Sequence, residues 1–226
     1  MTMNLTLFDL DGTLLPTDSD HAFGEFMVSI GWADGEQFRA RNDEFFRDYQ
    51  AGTLDIDAYV EFATSAWRDR PAGELDAART RFMRERMGPV LRDNARALVR
   101  EHQQAGDVVA IVTATNDFVT RPIADAFGVS ELIATRLERD AGGRVTGRID
   151  GTPSFREGKI SRVHEWLAAR GQAWPQFDRV TVYSDSTNDL PLLELASHPV
   201  ATNPSPALEA LARDRGWRIL TLFETP

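Results

Sequence analysis

A buried β-strand that runs straight into two carboxylates leaves a chain few ways to fold. Asn4–Phe8 is a short apolar run, and Asp9-Leu10-Asp11-Gly12-Thr13 follows it without a spacer. Acids set directly behind a core strand are costly to desolvate unless a ligand or a cation compensates them. Open parallel sheets offer a use for such acids, because ligands bind in the crevice beyond the carboxyl ends of their strands.

The remainder of the chain supplies the other parts of such a sheet. After Pro89, apolar strands and helices alternate. Leu91–Gln104 reads as a helix, Val108–Val112 as a β-branched strand and Asp117–Phe127 as a helix. Leu132–Leu137 and Arg144–Ile149 flank Asp140-Ala-Gly-Gly as a hairpin. Lys159–Arg170, Asp189–Ala196 and Pro206–Arg215 read as helices, and Arg179–Tyr183, His198–Ala201 and Arg218–Phe223 as strands. Between Asp18 and about Met87 the rhythm is instead helical, with aromatic stripes such as Phe38, Phe45, Phe46 and Tyr49. The expected architecture is α/β: a Rossmann-like parallel sheet with helices on both faces, formed by residues 1–16 and 88–226, with an all-helical insert at 17–87.

Listing what stands at the strand ends gives Asp9 and Asp11, then Thr113 and Thr115, then Asp185, Asn188 and Asp189. Carboxylates converging on one crevice repel one another and raise their own pKa values unless a cation neutralises them. Hard oxygen donors of this kind favour Mg²⁺. One further residue stands out by composition. Of 25 basic residues 24 are arginine, and the single lysine is Lys159. A compact ammonium used once suits close approach to a phosphate.

Phe8-Asp-Leu-Asp-Gly-Thr13, Val112-Thr-Ala-Thr115, Lys159 at a helix start and Tyr183-Ser-Asp-Ser-Thr-Asn-Asp189 together resemble the four ordered motifs of the haloacid dehalogenase superfamily. The resemblance is closest to its phosphoserine-phosphatase-like branch, in which a helical cap follows the first motif. It implies an enzyme that hydrolyses phosphate monoesters. Asp9 would be the nucleophile that forms an aspartyl-phosphate, and Asp11 the general acid and base. Asp9, the Asp11 backbone carbonyl and Asp185 would hold Mg²⁺, and Gly12 would let the chain turn beside the phosphate. Thr113, the Ala114 amide and Lys159 would bind phosphate. Asn188 would contact phosphate or the Asp9 region, and Asp189 would orient Lys159 or a metal-bound water. Dehalogenases of the superfamily lack the second aspartate, so Asp11 points to phosphate chemistry.

Phosphoserine phosphatases carry a glutamate nine residues after the nucleophile, and here that place holds Asp18, a candidate specificity residue. The expected substrate is a small phosphorylated metabolite, amine-bearing as in histidinol phosphate or phosphoserine. The alternatives are a phosphotransferase or mutase using an acceptor other than water, or a phosphate-binding protein without catalysis. A formal net charge of −10 argues against nucleic-acid and anionic-membrane partners. No cysteine is present, which removes disulfide and thiolate chemistry. No leader or spanning segment is apparent, so the cytoplasm is the expected location. The four histidines read as structural or solvent-facing.

Overall fold

The computed structural model describes residues 3–223. Its main sheet has six parallel strands in the order β3-β2-β1-β6-β7-β8. These are β1 (Asn4–Phe8), β2 (Val108–Asn116), β3 (Glu131–Thr135), β6 (Arg179–Ser184), β7 (His198–Thr202) and β8 (Arg218–Leu220). A separate antiparallel ribbon pairs β4 (Leu137–Arg139) with β5 (Val145–Ile149). Strand β1 is central, with β2 on one side and β6 on the other. The connections leave β1 in opposite directions, and the gap this opens at the strand ends is where such sheets take ligands.

Side chains alternate across the sheet because successive Cβ atoms point to opposite faces. Leu5, Leu7, Ala110, Val112 and Val182 pack into one apolar cluster under helices α7 (Glu157–Ala169), α8 (Leu190–Leu195) and α9 (Pro206–Asp214). Phe8, Ile111 and Tyr183 face the other way. There they meet α5 (Asp93–Gln104), α6 (Asp117–Ala126) and the helical insert. The insert comprises α1 (Ser19–Ser29), α2 (Gly35–Ala51), α3 (Ile56–Ser65) and α4 (Ala72–Phe82). A π-turn at Met83–Met87 and a 3₁₀ turn at Gly88–Val90 return the chain to the sheet. Trp67 of the insert stacks on Phe118 of α6 at 4.3 Å between ring centres, so the insert and the sheet layer share one apolar cluster. Among the described residues no helix is long and apolar enough to cross a membrane.

The parallel sheet with flanking helices agrees with the pattern read from sequence, and the differences along the strands are local. Strand β2 extends four residues beyond Val112 by way of an irregularity between Val112 and Asn116. A bulge of this kind re-aims side chains, here those of Thr113 to Thr115. The run Leu132–Leu137 is two strands and not one: β3 stays in the main sheet to Thr135, and the chain leaves at Arg136 to form the ribbon. The last strand stops at Leu220 because Leu222 N turns to Asn203 Oδ1 (2.6 Å).

Below the strand ends a buried polar knot ties β1 to α5 and β6. Asp107, with no exposed side-chain surface, meets His102 Nδ1 (2.7 Å) and accepts from Asn4 Nδ2 (3.0 Å) and Thr6 Oγ1 (3.0 Å). His102 Nε2 meets the Tyr183 hydroxyl at 2.8 Å. Burial alone would raise the Asp107 pKa, but the hydrogen bonds from His102, Asn4 and Thr6 outweigh it and hold the carboxyl below its ordinary value. Asp107→Ala is expected to lower unfolding stability by about 1–3 kcal/mol at pH 7. With the folded pKa below the unfolded one, this contribution is complete above the ordinary aspartate range and fades as pH falls through the depressed folded value. Urea denaturation of both proteins at neutral and acid pH measures it. A gap between them that fails to narrow in acid would contradict the assignment.

Candidate active site

Asp9 stands at the tip of β1, 6 % exposed, and its amide continues the pairing to Tyr183 O (2.9 Å). Its Oδ1 accepts from Lys159 Nζ (2.8 Å) and its Oδ2 from Thr13 Oγ1 (3.0 Å). The loop that carries Thr13 turns tightly, with the amides of Leu14 and Leu15 both bonded to Leu10 O. Gly12 has φ +75, and a Cβ there would lie 2.3 Å from Asp185 Oδ2. Only glycine fits, because the backbone is left-handed and a carboxylate sits on it. The loop is braced from behind by Asn203, whose Nδ2 donates to Gly12 O (2.9 Å) and Thr13 O (3.1 Å) while its Oδ1 accepts from the Leu222 and Phe223 amides.

Lys159 is the third residue of α7, which starts at Glu157 and not at the lysine. It is 1 % exposed, and its ammonium also meets the Asp189 carboxylate at 2.7 Å. Burial works to lower the Lys159 pKa, but Asp189 and Asp9 outweigh it and hold the group above the ordinary lysine value. Asp189 is oriented in turn by Ser184 Oγ (2.8 Å). Asp185 is half-buried, and burial followed by the charges of Asp9 and Asp189 pushes its pKa well up.

The side chain of Asp11 is turned from this group. Its Oδ1 accepts from Ser19 N (2.8 Å) and its Oδ2 from Thr115 Oγ1 (2.9 Å). Burial, and then the Asp18 charge, raise its pKa well above the ordinary range. Thr113 is buried, with its Oγ1 accepting from Thr115 N (3.2 Å), and Ala114 lies beside it on the bulge. The structure therefore gathers Asp9, Asp11, Gly12, Thr113, Ala114, Lys159, Asp185 and Asp189 at one crevice. Thr13, Ser19, Thr115 and Ser184, which hold the acids in place, carried no role in the sequence reading. Hydroxyls near a motif are common, and only the hydrogen bonds single these out.

Three residues make contacts that the sequence did not announce. Asn188, expected to contact phosphate or the Asp9 region, donates its Nδ2 to Tyr49 O (3.0 Å) in the insert. Asp18 is the N-cap of α1, accepting from His21 N (2.7 Å), although it also lines the chamber described next. His21, expected to be structural or solvent-facing, is on the chamber wall as well, stacked near Phe46 and 2.8 Å from Asp43.

That chamber lies between Asp9, Asp11 and the insert, walled by Asp20, His21, Phe46, Tyr49 and Tyr59 among others. Asp20 is 8 % exposed, and burial together with Asp18 pushes its pKa to about 7. To a water-sized sphere the chamber offers about 30 Å³, room for a water or two and for no metabolite. An outer cleft of about 600 Å³ reaches the same acids from the Asp185 side.

Metal binding can be weighed on the donor set. Asp9 and Asp189 share one ammonium, whereas among the described residues no ion pair engages Asp185, which rests against the Gly12 backbone beside Asp9. Among the described residues no three Asp, Glu or His side chains form a ligand set. The expected set needs only two carboxylates and a main-chain carbonyl, and its donors fit a hard divalent cation.

Removing the ammonium leaves two buried carboxylates unpaired. Lys159→Met is expected to destabilise the metal-free protein by about 3–5 kcal/mol. Urea unfolding in chelator checks this, and an unchanged midpoint would show that the cluster contributes nothing to the fold.

The chain is similar to known proteins over most of its length. A sequence profile described as haloacid dehalogenase-like hydrolase matches residues 6–194. A histidinol-phosphatase of Neisseria meningitidis serogroup C is 44% identical over 217 residues, covering 96% of this chain and 98% of the relative. The phosphoserine phosphatase SerB1 of Mycobacterium tuberculosis is 31% identical over 94% of this chain and 68% of its own length. A crystal structure of a Bordetella pertussis Tohama I protein of unknown function superposes with a TM-score of 0.93 at 49% identity, covering 99% of this chain and 100% of the other. A phospho-aspartyl intermediate analogue of phosphoserine phosphatase shares the fold, with a TM-score of 0.68 at 18% identity over 99% of this chain and 95% of that one.

Proposed function

The chain belongs to the haloacid dehalogenase-like hydrolases, and from that premise we propose that it is a phosphatase that hydrolyses a small phosphate monoester through a covalent intermediate on Asp9. The observation that carries this reading is the buried Lys159 ammonium between Asp9 and Asp189 at the tip of the central strand. It fixes a carboxylate oxygen where a phosphoryl group can reach it and supplies positive charge for the equatorial oxygens.

In the first step an Asp9 oxygen bonds to phosphorus while the bond to the leaving oxygen breaks. Asp11 gives its proton to that oxygen, and its raised pKa keeps the proton available. In the second step water attacks phosphorus, Asp11 takes the water's proton, and the Asp9–phosphorus linkage opens to release phosphate. Thr115 and the Ser19 amide hold the Asp11 carboxyl in place for both transfers. Thr113, the Ala114 amide and Lys159 would bind the phosphoryl oxygens. Phosphatases of this family generally use Mg²⁺. Asp9, the Asp11 carbonyl and Asp185 would hold it here, where it would supply charge that lets anionic groups approach. Residues 17–87 would act as a cap over the crevice.

For the leaving group, the chamber acids Asp18 and Asp20 and its aromatic walls suit a cationic, amine-bearing alcohol. The similarity to a histidinol-phosphatase over nearly the full length of both chains supports histidinol phosphate as the first candidate.

Phosphate release from histidinol phosphate and phosphoserine, with and without chelator, tests the reading. Chelation is expected to abolish release, Asp9→Asn to reduce it at least ~10³-fold, and histidinol phosphate to be preferred. Full turnover by Asp9→Asn would overturn the covalent route, and acceptor-dependent transfer without phosphate release would make the protein a phosphotransferase.

A further inference from the structure

The closed chamber and the outer cleft share a wall made of Asp11, Asp18, Phe46 and Tyr49. Tyr49 is the feature of that wall with no assigned purpose. It comes from the last turn of α2, and it lines the chamber together with Asp9 and Asp11 and the cleft together with Asp185. Burial, and then the charges of Asp9, Asp189, Asp185 and Asp18, push its pKa well up, so the hydroxyl keeps its proton. Among the described residues no hydrogen bond engages that hydroxyl, whereas Lys159, Asp9, Asp11 and Asp189 are all engaged.

The backbone around Tyr49 is held from the sheet layer by two side chains. Asn188 Nδ2 donates to Tyr49 O at 3.0 Å. The Arg156 guanidinium donates to Gly52 O, and Gly52 N closes the turn onto Tyr49 O at 3.1 Å. Phe155 lies 6.1 Å from the Tyr49 ring. Arg156 itself has φ +51 and ψ −125, a conformation that residues other than glycine avoid. Such strain persists only where the surroundings hold it, and it gathers at sites and clamps. Gly52 ends α2 in a left-handed conformation, and a Cβ there would lie 2.7 Å from Arg156 Nη2, so the turn is shaped around the arginine.

We propose that Tyr49 is a catalytic residue supplied by the cap: with the cap shut, its hydroxyl donates a hydrogen bond to a phosphoryl oxygen of the ester bound at Asp9, and Arg156 positions it by holding the Gly52 turn. A neutral donor is the fitting choice, since it serves the incoming anion without cancelling the carboxylates around it. The scheme links closure to chemistry, because the phenol is delivered only when the turn is seated. It rests on the phosphatase reading above.

The test combines kinetics with anion binding to the Mg²⁺-loaded protein. Tyr49→Phe keeps the ring and removes one O–H, and it should lower kcat/KM by about 10–100-fold. Arg156→Ala should cause a comparable loss, and the double variant should be little worse than either alone, since both remove the same contact. Tungstate affinity measured by calorimetry should weaken in Tyr49→Phe. That readout needs no turnover, so it judges Tyr49 even if wild-type protein hydrolyses nothing and the phosphatase reading falls. Wild-type kcat/KM and tungstate affinity in Tyr49→Phe would overturn the role of Tyr49. Losses that multiply in the double variant would overturn the positioning role of Arg156.

Discussion

One ammonium holds this crevice together. Lys159 is fully buried between Asp9 and Asp189, and neither acid would be tolerable there without it. Its two contacts join the tip of β1, the first turn of α7 and the turn after β6, three segments far apart in sequence. The pairing is incomplete, and the incompleteness matters. Asp185 and Asp11 remain uncompensated, with pKa values driven up by burial and by their neighbours. A cation bound there would relieve the repulsion that drives those values up.

The sheet turns that local cluster into a site. Because β1 is central, the ends of β2 and β6 lie on either side of Asp9, and the bulge in β2 aims Thr113 to Thr115 toward the acids. The helical insert then covers the crevice closely. A chamber with room for a water or two holds no metabolite at rest, so entry to it would require the insert to move. The contacts from Asn188 and Arg156 to the end of α2 are the polar ties that such motion would have to break.

Much of this was legible in the order of residues. The two acids behind Asn4–Phe8 and the lone lysine marked the crevice, and apolar periodicity marked the sheet and the insert. What escaped was whatever depends on direction and not on type. Asn188 stands in a recognisable motif, yet its amide points to the insert because the Tyr49 carbonyl, 139 positions away, is there to accept it. Asp18 caps a helix as well as lining the chamber, and a single acid gives no sign of which use prevails. Thr13 and Thr115 are ordinary threonines until the acids they hold are placed. The run Leu132–Leu137 has no glycine or proline to mark a break, so its division between sheet and ribbon is set by tertiary pairing.

Asn203 joins two parts of the chain that nothing in the sequence connects. One face of its amide holds the carbonyls of Gly12 and Thr13, and the other takes the amides of Leu222 and Phe223. Leu222 and Phe223 are therefore a single side chain removed from the loop that follows Asp9. Displacing Leu222 and Phe223 would loosen the turn at Gly12 and, through it, the seat of Asp9.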